Sequence, residues 1–127
     1  MAELLEQDDL KLLTDIGFIA ASRGLKDHAV AIFDAIKAMR PEGEAGYLGL
    51  GMVDILGGDP AAAVKTLMAA PRSDAVDTFL GIALVQNADV QQGQKLLQSV
   101  IDNSADTPFA RIASETLASV AAHAAQP

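Results

Sequence analysis

Apolar residues recur along the chain at spacings of three and four, broken at intervals by glycine, proline or polar clusters, and no segment keeps the strict alternation of a half-buried strand. The pattern predicts seven helices, near residues 4–23, 27–39, 44–56, 60–69, 74–87, 90–103 and 108–123. Local punctuation fixes their ends. Gly57-Gly58-Asp59-Pro60 offers glycines to stop one helix, an aspartate to cap the next, and a proline at its first turn, where a missing N–H costs nothing. Ser73 caps another helix, Asp89 with Gln92 reads as a capping box, and Thr107-Pro108 opens a last amphipathic helix carrying Phe109, Ile112, Leu117 and Val120.

The helices come in repeating pairs. Leu13, Ile16, Gly17, Gly24, Ala29, Phe33 and Ile36 recur 34 residues later as Tyr47, Leu50, Gly51, Gly58, Ala63, Leu67 and Ala70. A more degenerate third copy follows at a spacing of 30, as Asp77, Leu80, Gly81, Ala88, Gly93, Leu97 and Val100. Pro71-Arg72-Ser73 accounts for the shortening, because it cuts off the second helix of the middle copy. Gly17, Gly51, Gly81 and Gly93, with Ala29 and Ala63, let the helices of a pair approach closely, and Phe33, Leu67 and Leu97 are expected to fill the space between successive pairs. Asp77 stands where the pattern asks for a large apolar residue.

Leu13-x2-Ile16-Gly17-x11-Ala29-x3-Phe33-x2-Ile36-x4-Pro41 and Tyr47-x2-Leu50-Gly51-x6-Gly58-Asp59-x3-Ala63 resemble the tetratricopeptide repeat, over residues 10 to about 103. The resemblance implies an all-α fold: one domain over residues 1–127, with three helix hairpins (about 10–43, 44–73 and 74–106) in a short right-handed α-solenoid, and a capping helix near 108–123 over its exposed end. In such a solenoid the first helix of each pair lines a concave surface. The inward positions are Thr14, Phe18, Ala21 and Ser22, then Leu48, Met52, Ile55 and Leu56, then Thr78, Ile82, Val85 and Gln86. This row is mostly apolar, and the places where some tetratricopeptide proteins carry a carboxylate clamp hold Thr14, Phe18, Gly49, Ala75 and Phe79. It suits an amphipathic helix or apolar segment of another protein, with Met52 adapting to an irregular partner and an acidic rim of Asp8, Asp9, Asp54, Asp74 and Asp77 favouring basic flanks. Three other occupants stay open: residues 1–9, the C-terminal helix, or a second copy of the chain in a homodimer.

Composition narrows the function classes. Nine Lys+Arg against 17 Asp+Glu give a net charge of −8, which repels nucleic acid and anionic membrane surfaces. The absence of cysteine excludes disulfides, thiolate catalysis and zinc-cysteine sites. Met1 to Asp9 has neither the basic start nor the apolar run of a secretory signal, so a soluble protein kept in the cytoplasm is expected. His28 and His123 are 95 residues apart and pair with no carboxylate at helical metal spacing. Gly49-Leu50-Gly51 lacks the third glycine and the preceding strand of a dinucleotide loop. No catalytic residues, metal ligands or cofactor site are therefore expected, and the chain reads as a non-enzyme. Asp54, between Val53 and Ile55, is expected in a half-exposed salt bridge. Gly46, Gly49 and Gly51 within one helix read either as tight packing or as a segment that firms up on binding, since each costs about 1 kcal/mol against alanine.

The length, the acidic charge, three repeats with little else, and Tyr47-Leu48-Gly49-Leu50-Gly51 further resemble the small cytosolic chaperones of bacterial type III secretion. That resemblance implies a chaperone holding a needle or translocator subunit in its groove until export, in some cases beside a second small chaperone. A general assembly scaffold, or a homodimer using the same surface, is the alternative.

Overall fold

Glycine and proline punctuation is obeyed closely. The structure, a computed structural model, describes residues 7–125 and contains α1 (Gln7–Ser22), α2 (Lys26–Met39), α3 (Ala45–Leu56), α4 (Pro60–Met68), α5 (Asp74–Gln86), α6 (Val90–Asn103) and α7 (Pro108–Ala124), with no strand among the described residues. The described ends lie within one residue of expectation; the expected start at residue 4 falls outside the described residues. Asp59, Ser73 and Thr107 act as N-caps, accepting from the backbone N–H of Ala62 (3.2 Å), Val76 (3.1 Å) and Ala110 (3.1 Å). The capping box expected at Asp89 is not formed, because its side chain makes no cap bond.

The hairpin turns share one backbone device. The N–H groups of Leu25, Asp59 and Asp89 each reach back five residues to the carbonyls of Ala20, Asp54 and Leu84, all at 2.9 Å. The residue before each donor must take a positive φ. Gly24 (+76°) and Gly58 (+79°) do so freely, whereas the third copy forces Ala88 to +66°.

Within each pair, glycine on the first helix receives a large side chain from the second. A Cβ on Gly17 would lie 2.7 Å from the Phe33 ring, on Gly51 2.7 Å from Leu67, and on Gly81 2.7 Å from Leu97. Those large residues also bridge to the next pair: Phe33 lies against Gly49 of α3, Leu67 is buried with Leu80, Ala83 and Leu84 of α5, and Leu97 with Ala113 of α7. The core therefore runs through the stack as a chain of local clusters.

Asp77, the outlier in the repeat, is half-buried and bonds Arg72 Nη1 through Oδ1 at 3.4 Å. Arg72 also donates to the carbonyls of Leu67 and Ala70, so it caps α4 and ties it to α5. At the matching place Tyr47 stacks under Lys37, whose Nζ lies 4.7 Å from the ring centroid. Serines join successive repeats, Ser73 donating to the Glu44 carboxylate and Ser104 to Asp74 Oδ2 (2.5 Å).

α1 packs on α3, α3 on α5 and α5 on α7, while α2, α4 and α6 make no substantial contact with one another. A layer of touching first helices backed by separated second helices curves toward the first layer, which is why that layer is the concave one.

Candidate protein-binding surface

The concave row divides into residues that keep exposed surface and residues that the packing has consumed. Leu48, Met52, Ile55, Ile82 and Val85 are half-buried, and Leu56 is 57% exposed. Leu48 and Ile55 rest their inner sides on the Leu67–Leu84 cluster, and Ile82 and Val85 rest theirs on the Leu97–Ala113 cluster. Each is thereby held by the core and presents an apolar edge. Phe18 is half-buried with its ring edge-on to Phe33, centroids 5.0 Å apart, so it serves the core as well as the surface. Thr14 is half-buried and its hydroxyl is spent on the Leu10 carbonyl at 2.7 Å.

Two expected groove residues are corrected. Thr78 is fully buried, its Oγ1 donating to the Asp74 carbonyl at 2.7 Å, and Ala21 is buried between α1 and its neighbours. Thr78 keeps no surface for a partner, and Ala21 keeps only the sliver that lines a cleft beside Leu56. The acidic rim is also thinner than expected. Asp74 accepts from Ser104 and Asp77 is paired with Arg72, while Asp54 shows no salt bridge. Burial, together with the nearby Asp59 charge, raises the Asp54 carboxyl above its ordinary range, against the attraction of Lys26. Asp77 is raised as well, because burial outweighs the Arg72 guanidinium.

α7 covers the end of the stack as expected, burying Ala113 against Leu97 and Val100, and it is also a further lining helix. A cleft of about 480 Å³ opens between α5 and α7, walled by Ile82 and Val85 on one side and Thr116, Ser119 and Val120 on the other, with Val90 and His123 at its edges. Thr116, Ser119 and Val120 stand 34 residues after Ile82, Val85 and Gln86. The repeat period thus continues into α7 and could have revealed these residues. At the other end a cleft of about 640 Å³ lies between α1, the end of α2 and the start of α3, lined by Asp8, Lys11, Thr14, Arg40 and Glu44. A third, of about 410 Å³, sets Leu56 beside Ala21 and Val53.

Gly46, Gly49 and Gly51 are buried at helix contacts, a Cβ on Gly46 meeting the Lys37 backbone at 2.8 Å. Tight packing accounts for all three. His28 and His123 are exposed, and among the described residues no group of three or more histidines and carboxylates is placed to hold a metal ion. No helix of the described residues is long and apolar enough to cross a membrane.

No protein-family model matches the chain, and no curated protein does. Two solved structures match over almost the whole length. One is the type III secretion translocator chaperone SycD of Yersinia enterocolitica, at TM-score 0.73 and 18% identity over 91% of this chain and 93% of that one. The other is SycD in an alternative dimer, at TM-score 0.72 and 17% identity over 95% of this chain and 98% of that one. At such identities the likeness is one of fold: this chain has the all-α, tetratricopeptide-like architecture of that chaperone.

Proposed function

We propose that the chain is a non-enzymatic holding chaperone that sequesters an amphipathic helix or apolar segment of a secreted subunit, of needle or translocator type, along its concave row. The observation that carries this reading is the line of partly exposed apolar edges on α3 and α5, Leu48, Ile55, Ile82 and Val85 anchored on the core with Met52 and Leu56 beside them, continuing into the cleft against α7. The fold shared with a protein described as a translocator chaperone supports it. A cytoplasmic setting, and in some cases a second small chaperone, belong to the same reading.

The mechanism is mass action. Leu56 apart, each of these side chains keeps only a minority of its surface exposed, so covering one contributes roughly 0.5 kcal/mol, and the client gains the rest of its binding free energy from burying its own apolar face and from the α7 cleft. Held in this way, the client's apolar face is withdrawn from self-association and insertion. The side chains project from helices already packed against the core, so they are preorganised and little further ordering is needed on this side.

Co-purification from the cells that make the protein tests the reading. The parent is expected to bring down a small, helix-rich export subunit, and Met52→Glu or Ile82→Glu to lose it while helical circular dichroism is unchanged. Equal recovery with the variants would overturn the groove as the site.

A further inference from the structure

α4 and α6 make no substantial contact, and between them the outer side of the stack, away from the concave row, keeps a furrow of about 360 Å³. Buried Leu80 and Leu84 of α5 line it, with Leu96 of α6, half-buried on the same cluster, and Met68 of α4. Met68 is 65% exposed, more than any other large apolar residue among the described residues. The repeat does not ask for it. Asp34 holds the matching place on α2 and Gln98 on α6, and the core contact of α4 is made by the neighbouring Leu67, which is fully buried. An exposed methionine beside leucines anchored on the core gives the furrow an adaptable apolar edge.

Charge selects the guest. The chain carries −8 overall, yet the ionic residues that line the furrow, Arg72 and Lys95, are both cations. Lys95 stands on α6 where Lys65 stands on α4, 30 residues earlier, and both are exposed. No ion pair engages Lys95 among the described residues; Arg72 is shared with Asp77 at 3.4 Å, but its side chain stays half-exposed. Two helices lying over a third also leave a trough of the kind into which a further helix packs. We infer that this outer furrow docks an acidic amphipathic helix of another protein, its apolar stripe on Leu80, Leu84, Leu96 and Met68 and its carboxylates beside Lys95 and Arg72. Nucleic acid and anionic lipid, which also seek cations, are repelled by the net charge. The furrow and the concave row lie on opposite sides of the stack, so this inference stands apart from the proposed client binding and both sites can be filled together.

Titration with two synthetic peptides tests it, one an amphipathic helix of about 15 residues with a leucine stripe flanked by glutamates, the other identical but with lysine for each glutamate. Binding is followed in the methyl spectrum of the full chain labelled with 13C-methyl methionine. Met68 lies in the furrow and Met52 on the concave row, so the two resonances tell the sites apart. The glutamate peptide is expected to move the Met68 resonance to saturation, and the lysine peptide to move it at least about tenfold more weakly. Lys95→Glu, with circular dichroism and client co-purification unchanged, is expected to weaken the glutamate peptide about fivefold and to strengthen the lysine peptide. A Met68 resonance that neither peptide moves, equal affinity for the two peptides, or a Lys95→Glu variant that binds both as the parent does overturns the inference. So does a Met68 resonance that shifts with the protein's own concentration, since a second copy then fills the furrow.

Discussion

Gly49→Ala sets two effects of opposite sign against each other. In an open helix the change is worth about 1 kcal/mol in favour of alanine. Here the new methyl would lie 2.0 Å from Phe33 Cδ1 and 2.2 Å from both Cε1 and Cγ. Rotating the ring about its own axis gives no relief, since Cγ lies on that axis. Swinging it away is blocked too: Phe33 is fully buried within the core cluster, and the Phe18 ring packs edge-on against it. The remaining response is to separate α2 from α3 by about 1 Å or more, which forfeits much of the dispersion contact around Phe33. Overpacking of this kind, joined to partial loss of a buried phenylalanine's contacts, leaves a net destabilisation of about 2–4 kcal/mol after the propensity gain. In a chain of this size that lowers the melting temperature by roughly 6–20 °C. Urea unfolding followed by circular dichroism measures it. Gly43→Ala serves as control, because its methyl would meet nothing closer than the Arg40 carbonyl at 3.5 Å. In the double variant with Phe33→Leu, the total loss is expected to fall short of the sum of the single losses. A Gly49→Ala variant as stable as the parent, or more so, would refute the packing account and revive a role for flexibility in α3.

Ala88→Gly relieves the positive φ that Gly24 and Gly58 adopt freely, and is expected to stabilise by about 0.5–1 kcal/mol in the same urea assay after the entropy cost of glycine. Ser73→Ala removes both the Val76 cap and the bond to Glu44 and costs about 1–2 kcal/mol, whereas Asp89→Ala, which loses no side-chain cap bond, stays within about 0.5 kcal/mol. Because the Asp54 carboxyl is raised in the folded state, its contribution favours folding below the ordinary carboxylate range and is lost as pH rises through the raised folded value. Asp54→Asn is therefore expected to melt higher than the parent above about pH 5, the difference closing by about pH 3, in thermal scans across pH.

The hairpins were legible because their signals are local. Gly58, Pro60 and Ser73 dictate backbone geometry whatever surrounds them, so the helix ends follow from sequence. Asp89 differs because a cap bond needs a rotamer as well as a residue type, and the turn there is already closed by its N–H to Leu84. The concave row was legible in register but not in depth. Thr78 and Ile82 share a helix face, yet only the packing of α5 between α3 and α7 decides that the first is sealed and the second keeps an edge. Arg72 escaped notice as the partner of Asp77 because their pairing depends on how the short α4–α5 connection folds back. The contribution of α7 was present as period 34 but hidden by its polar choices, Thr116 and Ser119, where the earlier copies are apolar.

The central claim is that the edge of α3 and α5 holds the client, and site-specific photo-crosslinking in the producing cells tests it most directly. A crosslinker replacing Met52 or Ile82 is expected to trap one export subunit, and one replacing Ala118, exposed on the outer side of α7, to trap none. No adduct from either groove position, or equal adducts from Ala118, would contradict the account.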